Sequence, residues 1–265
     1  MRHIPRLSQR LATSLLCAVV GLLVLLAAGR AMASRGPDLL YPNLKTLPPT
    51  DLQFDRELVD EDGDGVGDID RNVLRFSNTI WNAGTGALEL RGNPETGRLV
   101  QRVYQGNDGY LDRRLPDAAF TFHPQHNHWH FDKFAQYELY REDRGSLKSI
   151  GQTGRKTSFC IMDTAIEVSR PGTTPEEAYY DKCRQDIQGM SVGWGDTYAS
   201  HLYDQWVVLG DQGLHGLKDG KYVLRSVADP KNLLGEGGRN QNSERNNKAV
   251  KCFAVVEGEI APRTC

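Results

Sequence analysis

An excess of charge of either sign is missing from this chain, which sets 32 Lys and Arg against 34 Asp and Glu in 265 residues. The formal charge of -2 and pI near 6.4 leave no basic field for holding nucleic acid. Heptads, internal repeats and low-complexity linkers are also missing. With 39% hydrophobic residues and a mean hydropathy of -0.52, that excludes a coiled-coil rod, a disordered tail and a multi-span membrane protein. Helical periodicity is scarce, with a faint trace over Pro175 to Arg184. No HExxH pattern is present, which removes the base arrangement of a zinc hydrolase.

What is plentiful is punctuation: 27 glycines and 12 prolines separate short apolar runs. Strand-like runs are read at Val73 to Trp81, Ala87 to Leu90, Leu99 to Tyr104, His128 to Tyr140, Thr157 to Met162, Gln205 to Leu209, Tyr222 to Val227 and Val250 to Val256. They imply a mainly β fold: one antiparallel, sandwich-like domain over 34–265, with long loops and little helix.

At the N-terminus, Arg2, Arg6 and Arg10 precede an apolar run from Leu15 to Ala28 and then Ala31-Met32-Ala33. These are the parts of a secretory signal over 1–33, with cleavage before Ser34. The run falls short of the roughly 20 residues of a membrane span, so the expectation is export, to the periplasm or outside the cell, without lasting membrane association. The competing reading is an uncleaved anchor. Leu16 before Cys17 argues against lipidation. Four cysteines then remain, Cys160, Cys183, Cys252 and Cys265, an even number that reads as two disulfides with three possible connectivities. Pairing between neighbours is the simplest of the three.

The chemistry concentrates at His123-Pro-Gln-His126-Asn-His128-Trp-His130. In an extended segment His126, His128 and His130 point to one side, and three imidazoles on one face suit copper, zinc or nickel. In a flat strand the outer pair stands about 13 Å apart, so the segment must curve or leave strand geometry to hold one ion. His123 lies outside the alternation and is read as a supporting or substrate-side group. His201 and His215 are isolated.

Here the sequence resembles the catalytic domain of the lysyl oxidase family, copper amine oxidases with a lysine tyrosylquinone cofactor. Three ordered stretches carry the resemblance: His126-Asn-His-Trp-His130-Phe-Asp-Lys-Phe134, Gly154-Arg-Lys-Thr-Ser-Phe-Cys160 with Asp163-Thr164, and Asp196-Thr-Tyr198 with Gln205-Trp206. The resemblance implies that His126, His128 and His130 hold copper and that Lys156 and Tyr198 form the quinone cross-link. It further implies O₂-dependent oxidation of a primary amine, such as a lysine side chain, to an aldehyde with release of peroxide and ammonia. The two disulfides it implies, Cys160 with Cys183 and Cys252 with Cys265, coincide with the neighbour pairing. Trp194 and Asp204 stand where animal members have cysteines, and Gln136 where they have a histidine. Asp196 is a weak candidate for the general base, with turn capping as the alternative.

Two calcium sites are also read. Asp60, Asp62, Asp64, Val66 and Asp68 occupy the offsets of a calcium loop, and five aspartates within 60–70 would repel one another without a cation. A second set, Asp38 with Asn242, Glu244, Asn246 and Asn247, is implied by the family. A non-catalytic secreted copper- or calcium-binding protein that kept the fold is the alternative to the enzyme.

Overall fold

In the computed structural model the described residues are 38–61, 66–106, 109–124, 126–154, 156–237 and 246–265. Every strand named below belongs to one compact unit, Leu39–Cys265. The signal segment 1–33 lies outside the described residues.

This unit is built around one strand, Ile69–Asn82, which pairs antiparallel with Leu44–Thr46, Thr50–Val59, Trp194–Tyr198 and Trp206–Val208. From Val73 onward it is covered on both faces, which its β-branched and aromatic residues tolerate. Leu74, Phe76 and Ile80 point into the main core together with Leu139, Leu224 and Phe253. Those three come from a second sheet, Ser146–Thr153, Ala135–Asp143, Gly220–Ala228, Lys248–Val256 and Glu259–Pro262. Phe76 meets Tyr137 of that sheet edge-on, with ring centroids 4.7 Å apart. On the opposite face Val73 packs with Val59 and Trp206. A third sheet joins Leu39–Leu40, Leu99–Gln105, Leu88–Gly92, Ile187–Met190 and Tyr110–Arg114, and a separate hairpin pairs Phe120–His123 with His128–Phe131. The mainly β, antiparallel expectation holds: every named element among the described residues is a strand.

Several boundaries differ from the sequence reading, each for a local reason. His128 to Tyr140 is two strands, His128–Phe131 and Ala135–Asp143, because Lys133 turns the chain at a positive φ of 59°. Thr157 to Met162 is extended but joins no sheet, since its amides go elsewhere. Phe159 bridges Phe131, Cys160 donates to the Tyr198 hydroxyl, and Ile161 donates to Gln188 Oε1. The trace of periodicity over Pro175 to Arg184 gives no helix; Asp163 Oδ2 accepts the amides of Tyr179 and Tyr180 there. Trp194–Tyr198 is a strand despite Gly195 and Asp196. At Gly195 an added Cβ would meet Glu167, Thr79 and Trp81 side chains, so the glycine serves packing instead of a turn. The disulfides are Cys160–Cys183 and Cys252–Cys265.

Candidate active site

The hairpin Phe120–His123/His128–Phe131 places His128 opposite His123 and His130 opposite Thr121. Its connecting turn follows Pro124 and takes Asn127 through the left-handed region at φ 54°, a conformation asparagine accepts more readily than most residues. The regular strand therefore begins only at His128. His126 folds back from the turn, and its ring centroid lies 5.5 Å from that of His128 and 5.1 Å from that of His130. One ligand atom from each of His126, His128 and His130 lies within 4.8 Å of the others. The 13 Å separation of a flat strand is removed by that one turn.

His123 joins the cluster, with its ring 4.7 Å from His126 and 4.8 Å from His130. Its Nδ1 is buried without a hydrogen-bond partner. The alternation pattern had set it apart as a supporting or substrate-side group; the hairpin register, His123 opposite His128, brings it against the other three imidazoles.

The donor set fits a transition metal. His130 is fully buried, its Nδ1 is within hydrogen-bond distance of Ser158 Oγ at 3.1 Å, and its Nε2 is an orphan. Burial first, then the Lys156 charge and the neighbouring histidines, pulls His130 down to about 2 and His126 down to about 4. Neutral imidazoles packed this way are the form a metal requires.

Lys156 reaches the same spot from the extended segment after Gly154. It is 2% exposed, and its Nζ lies 3.1 Å from His126 Nε2. Burial lowers it to about 8, against the raising effect of Asp204 and Asp196. The same Nζ lies 5.3 Å from the centroid of the Tyr198 ring. Tyr198 is 8% exposed and paired with Asn78 across the sheet, and its hydroxyl accepts the Cys160 N–H at 2.7 Å. Phe159 packs against its ring at 4.0 Å. Burial, then Asp196, holds the Tyr198 phenol well above its ordinary range.

The loop after Tyr198 completes the site. Tyr203 lies 6.1 Å from the His126 ring, and the Asp204 carbonyl accepts the Lys156 N–H at 3.1 Å. Arg75 holds this loop down: NH1 donates to the carbonyls of Ser200 and Leu202, Nε to Asp55 and NH2 to Glu57, while the guanidinium stacks 4.6 Å from Trp206. Tyr203 and Arg75 carried no sequence signal of their own, and Asp204 stood out only as replacing a cysteine of animal members. Gln136 is tied to Glu138 in the neighbouring sheet, and its side chain amide donates to Oε1 at 3.1 Å.

A lysyl oxidase family model matches residues 57–262. The chain belongs to the lysyl oxidase family. Among similar proteins, the chicken (Gallus gallus) protein-lysine 6-oxidase is 31% identical over 168 residues, which cover 62% of this chain and 34% of the relative. The human (Homo sapiens) protein-lysine 6-oxidase is 30% identical over the same shares. Human lysyl oxidase homolog 1 is 31% identical over 169 residues, 63% of this chain and 26% of the relative. The chain thus matches about a third or less of the length of these relatives. The family match takes in the His126–His130 hairpin, Lys156 and Tyr198.

The calcium candidates fare differently. Asp62 and Asp64 lie outside the described residues, and Asp68 is exposed. At the ends of that stretch Arg71 pairs with Glu61 and Arg56 with Asp70, so arginines neutralise part of the charge that had argued for a cation. In the second set Asn242 and Glu244 lie outside the described residues and Asp38 is exposed. Asn246 Nδ2 donates to Asn43 Oδ1, and Asn247 is buried with its Nδ2 donating to Glu236 Oε1 at 2.6 Å. Glu236 is a carboxylate that no sequence pattern singled out.

Proposed function

We propose that this protein is an exported copper-dependent amine oxidase whose organic cofactor is made from Lys156 and Tyr198. The observation that carries the reading is the placement of the Lys156 amine 5.3 Å from the Tyr198 ring centroid and 3.1 Å from an imidazole of the histidine cluster. His126, His128 and His130 would hold the metal, with His123 behind them. When bound, copper supplies redox chemistry toward O₂, and the lysine tyrosylquinone supplies a carbonyl electrophile for a primary amine.

The chain's own residues prepare that chemistry. Burial keeps a share of Lys156 as the neutral, nucleophilic amine near neutral pH. The Cys160 amide, itself anchored by the Cys160–Cys183 bridge, fixes the Tyr198 oxygen, and Phe159 fixes the ring. Ser158 orients His130. The overall reaction takes a primary amine, O₂ and water to an aldehyde, ammonia and hydrogen peroxide. Lysine side chains of a protein or small free amines are the substrate class, and the Asp60–Asp70 loop takes a structural calcium.

The test is peptide mass spectrometry of the mature protein after aerobic copper loading, combined with an assay of amine-dependent peroxide release. A Lys156–Tyr198 linked peptide with peroxide release is the expected result. Both residues unmodified in copper-saturated protein would overturn the reading and leave a metal-binding protein without catalysis.

A further inference from the structure

Behind the Lys156–Tyr198 pair, six buried polar atoms have no direct hydrogen-bond partner: both carboxylate oxygens of Asp196, both amide atoms of Gln205, the Tyr137 hydroxyl and Asn78 Nδ2. Their four side chains are at most 1% exposed. Register gathers them. Asn78 is paired with Tyr198 and Ile80 with Asp196, so all four side chains share one face of the sheet. Phe76, on the same face, packs against Tyr137 of the opposing sheet. Ser226, paired with Tyr137, donates to Asn78 Oδ1 at 2.7 Å. Gln205 and Asn78 face the Tyr137 phenol; burial, opposed by the Met162 amide and Lys156, holds Asp196 above the ordinary carboxylate range, and its carboxylate in turn acts on Tyr137, Tyr198 and Lys156. Yet none of the six atoms completes a hydrogen bond with a protein partner.

Orphans in such numbers around one point mark a place where water completes the hydrogen bonds. The strand also sets two acids, Asp196 and Tyr198, two residues apart on one buried face. Such a site bears one negative charge far more readily than two. Moving a proton from the phenol to the carboxylate leaves the net charge unchanged, so no second buried anion has to be created.

We propose that the chamber bounded by Asn78, Tyr137, Asp196 and Gln205 holds ordered water, and that Asp196, through that water, is the proton acceptor for Tyr198 as its ring is made ready for oxidation. The proposal rests on the quinone reading above. In this step the Tyr198 hydroxyl gives up its 3.3 Å hydrogen bond to the Cys160 carbonyl, its O–H bond breaks, and the proton passes by way of water to the Asp196 carboxylate, where a new O–H bond forms. The electron pair stays on the Tyr198 oxygen. No electrons change hands, and O₂ remains the oxidant in the later ring oxidation. Asp196 is thus assigned to building the cofactor, a role that needs no contact with the substrate.

The experiment tracks the Lys156–Tyr198 linked peptide by mass spectrometry during aerobic copper loading of the full mature chain, with bound copper and melting temperature measured alongside. Asp196→Asn is expected to bind copper and melt like the parent while linking at least tenfold more slowly. Tyr137→Phe, which removes one chamber hydroxyl without changing shape, is expected to slow linkage less. Formate, small enough to enter the space left by Asp196→Ala, is expected to restore linkage in that variant, which a merely structural aspartate would not permit. Linkage of Asp196→Asn at the parent rate, no formate rescue, or a dry chamber in a high-resolution crystal structure would each overturn the proposal. If the parent chain links and Asp196→Asn links equally, only this inference falls; if the parent never links, the quinone reading falls with it.

Discussion

Opening the Cys160–Cys183 bridge should damage the site more than its cost in stability suggests. The bridge spans 23 residues and the Cys252–Cys265 bridge 13. Loop-closure entropy assigns the two about 3.4 and about 2.9 kcal/mol at 25 °C, a difference too small to separate them. Replacing either pair with alanine should therefore lower a urea midpoint by about 1–2 M, given a slope of about 2–3 kcal/mol per M for a domain of this size. Locally they differ. The Cys160 amide is the donor that holds the Tyr198 hydroxyl, whereas Cys265 is exposed at the chain end. Hydrogen exchange of the residue 160 amide should accelerate beyond the global loss only in the Cys160→Ala/Cys183→Ala variant, and linkage of Lys156 to Tyr198 should slow with it. Equal exchange at residue 160 in both variants, or a cost below about 1 kcal/mol for the first, would show that the bridge does not anchor the tyrosine.

Four further outcomes can be checked. Arg75→Lys loses the fork that serves two carbonyls and two carboxylates at once, and should destabilise by about 2–4 kcal/mol in chemical denaturation while loosening the loop that carries Tyr203 and Asp204. Gly154→Ala drives a Cβ to 2.5 Å from Tyr137 Cδ2, against a fully buried ring, and should cost about 1–3 kcal/mol in the same assay. Burial raises Glu236 to about 7, above its unfolded value. Its stabilising contribution is then complete below about pH 4.5 and is lost as pH rises through about 7; unfolding measured in metal-free buffer should show this slope, flattened in Glu236→Gln. In copper titrations His130→Ala should abolish stoichiometric binding, while His123→Ala should weaken it by about 10–100-fold, the effect of a supporting residue.

Legibility in the sequence was uneven, and the reasons are physical. The alternation His126, His128, His130 advertised a metal site because side-chain direction is a local property of the chain. The antiparallel β class came from short apolar runs between turn residues; the cysteine count gave two disulfides but left three connectivities open, and the family resemblance pointed to the neighbour pairing. Residues whose roles depend on which strands become neighbours were silent. Arg75 reads as an ordinary strand arginine until Ser200, Leu202 and Trp206 are folded over it. The chamber polar groups Asn78, Tyr137 and Gln205 come from three separate strands or loops and mean nothing apart. His123 was read only as a supporting or substrate-side group, because its place in the cluster depends on a connection whose Asn127 turns left-handed. Thr157 to Met162 looked like a strand because its composition is right, yet its amides are committed to side chains and a single bridge.

The histidine cluster and the cofactor pair are also gathered over very different stretches of chain. The four imidazoles meet within 123–130, inside one hairpin, whereas Lys156 and Tyr198 meet only after two sheets have docked. Local hairpins close in microseconds, and contacts distant in sequence wait for the assembly of the whole fold. On the proposed function, metal capture would be open to a chain that is still folding, and Lys156 and Tyr198 would arrive at a centre already in place. On that reading the spacing of the parts along the polypeptide would set the order of events in making the cofactor.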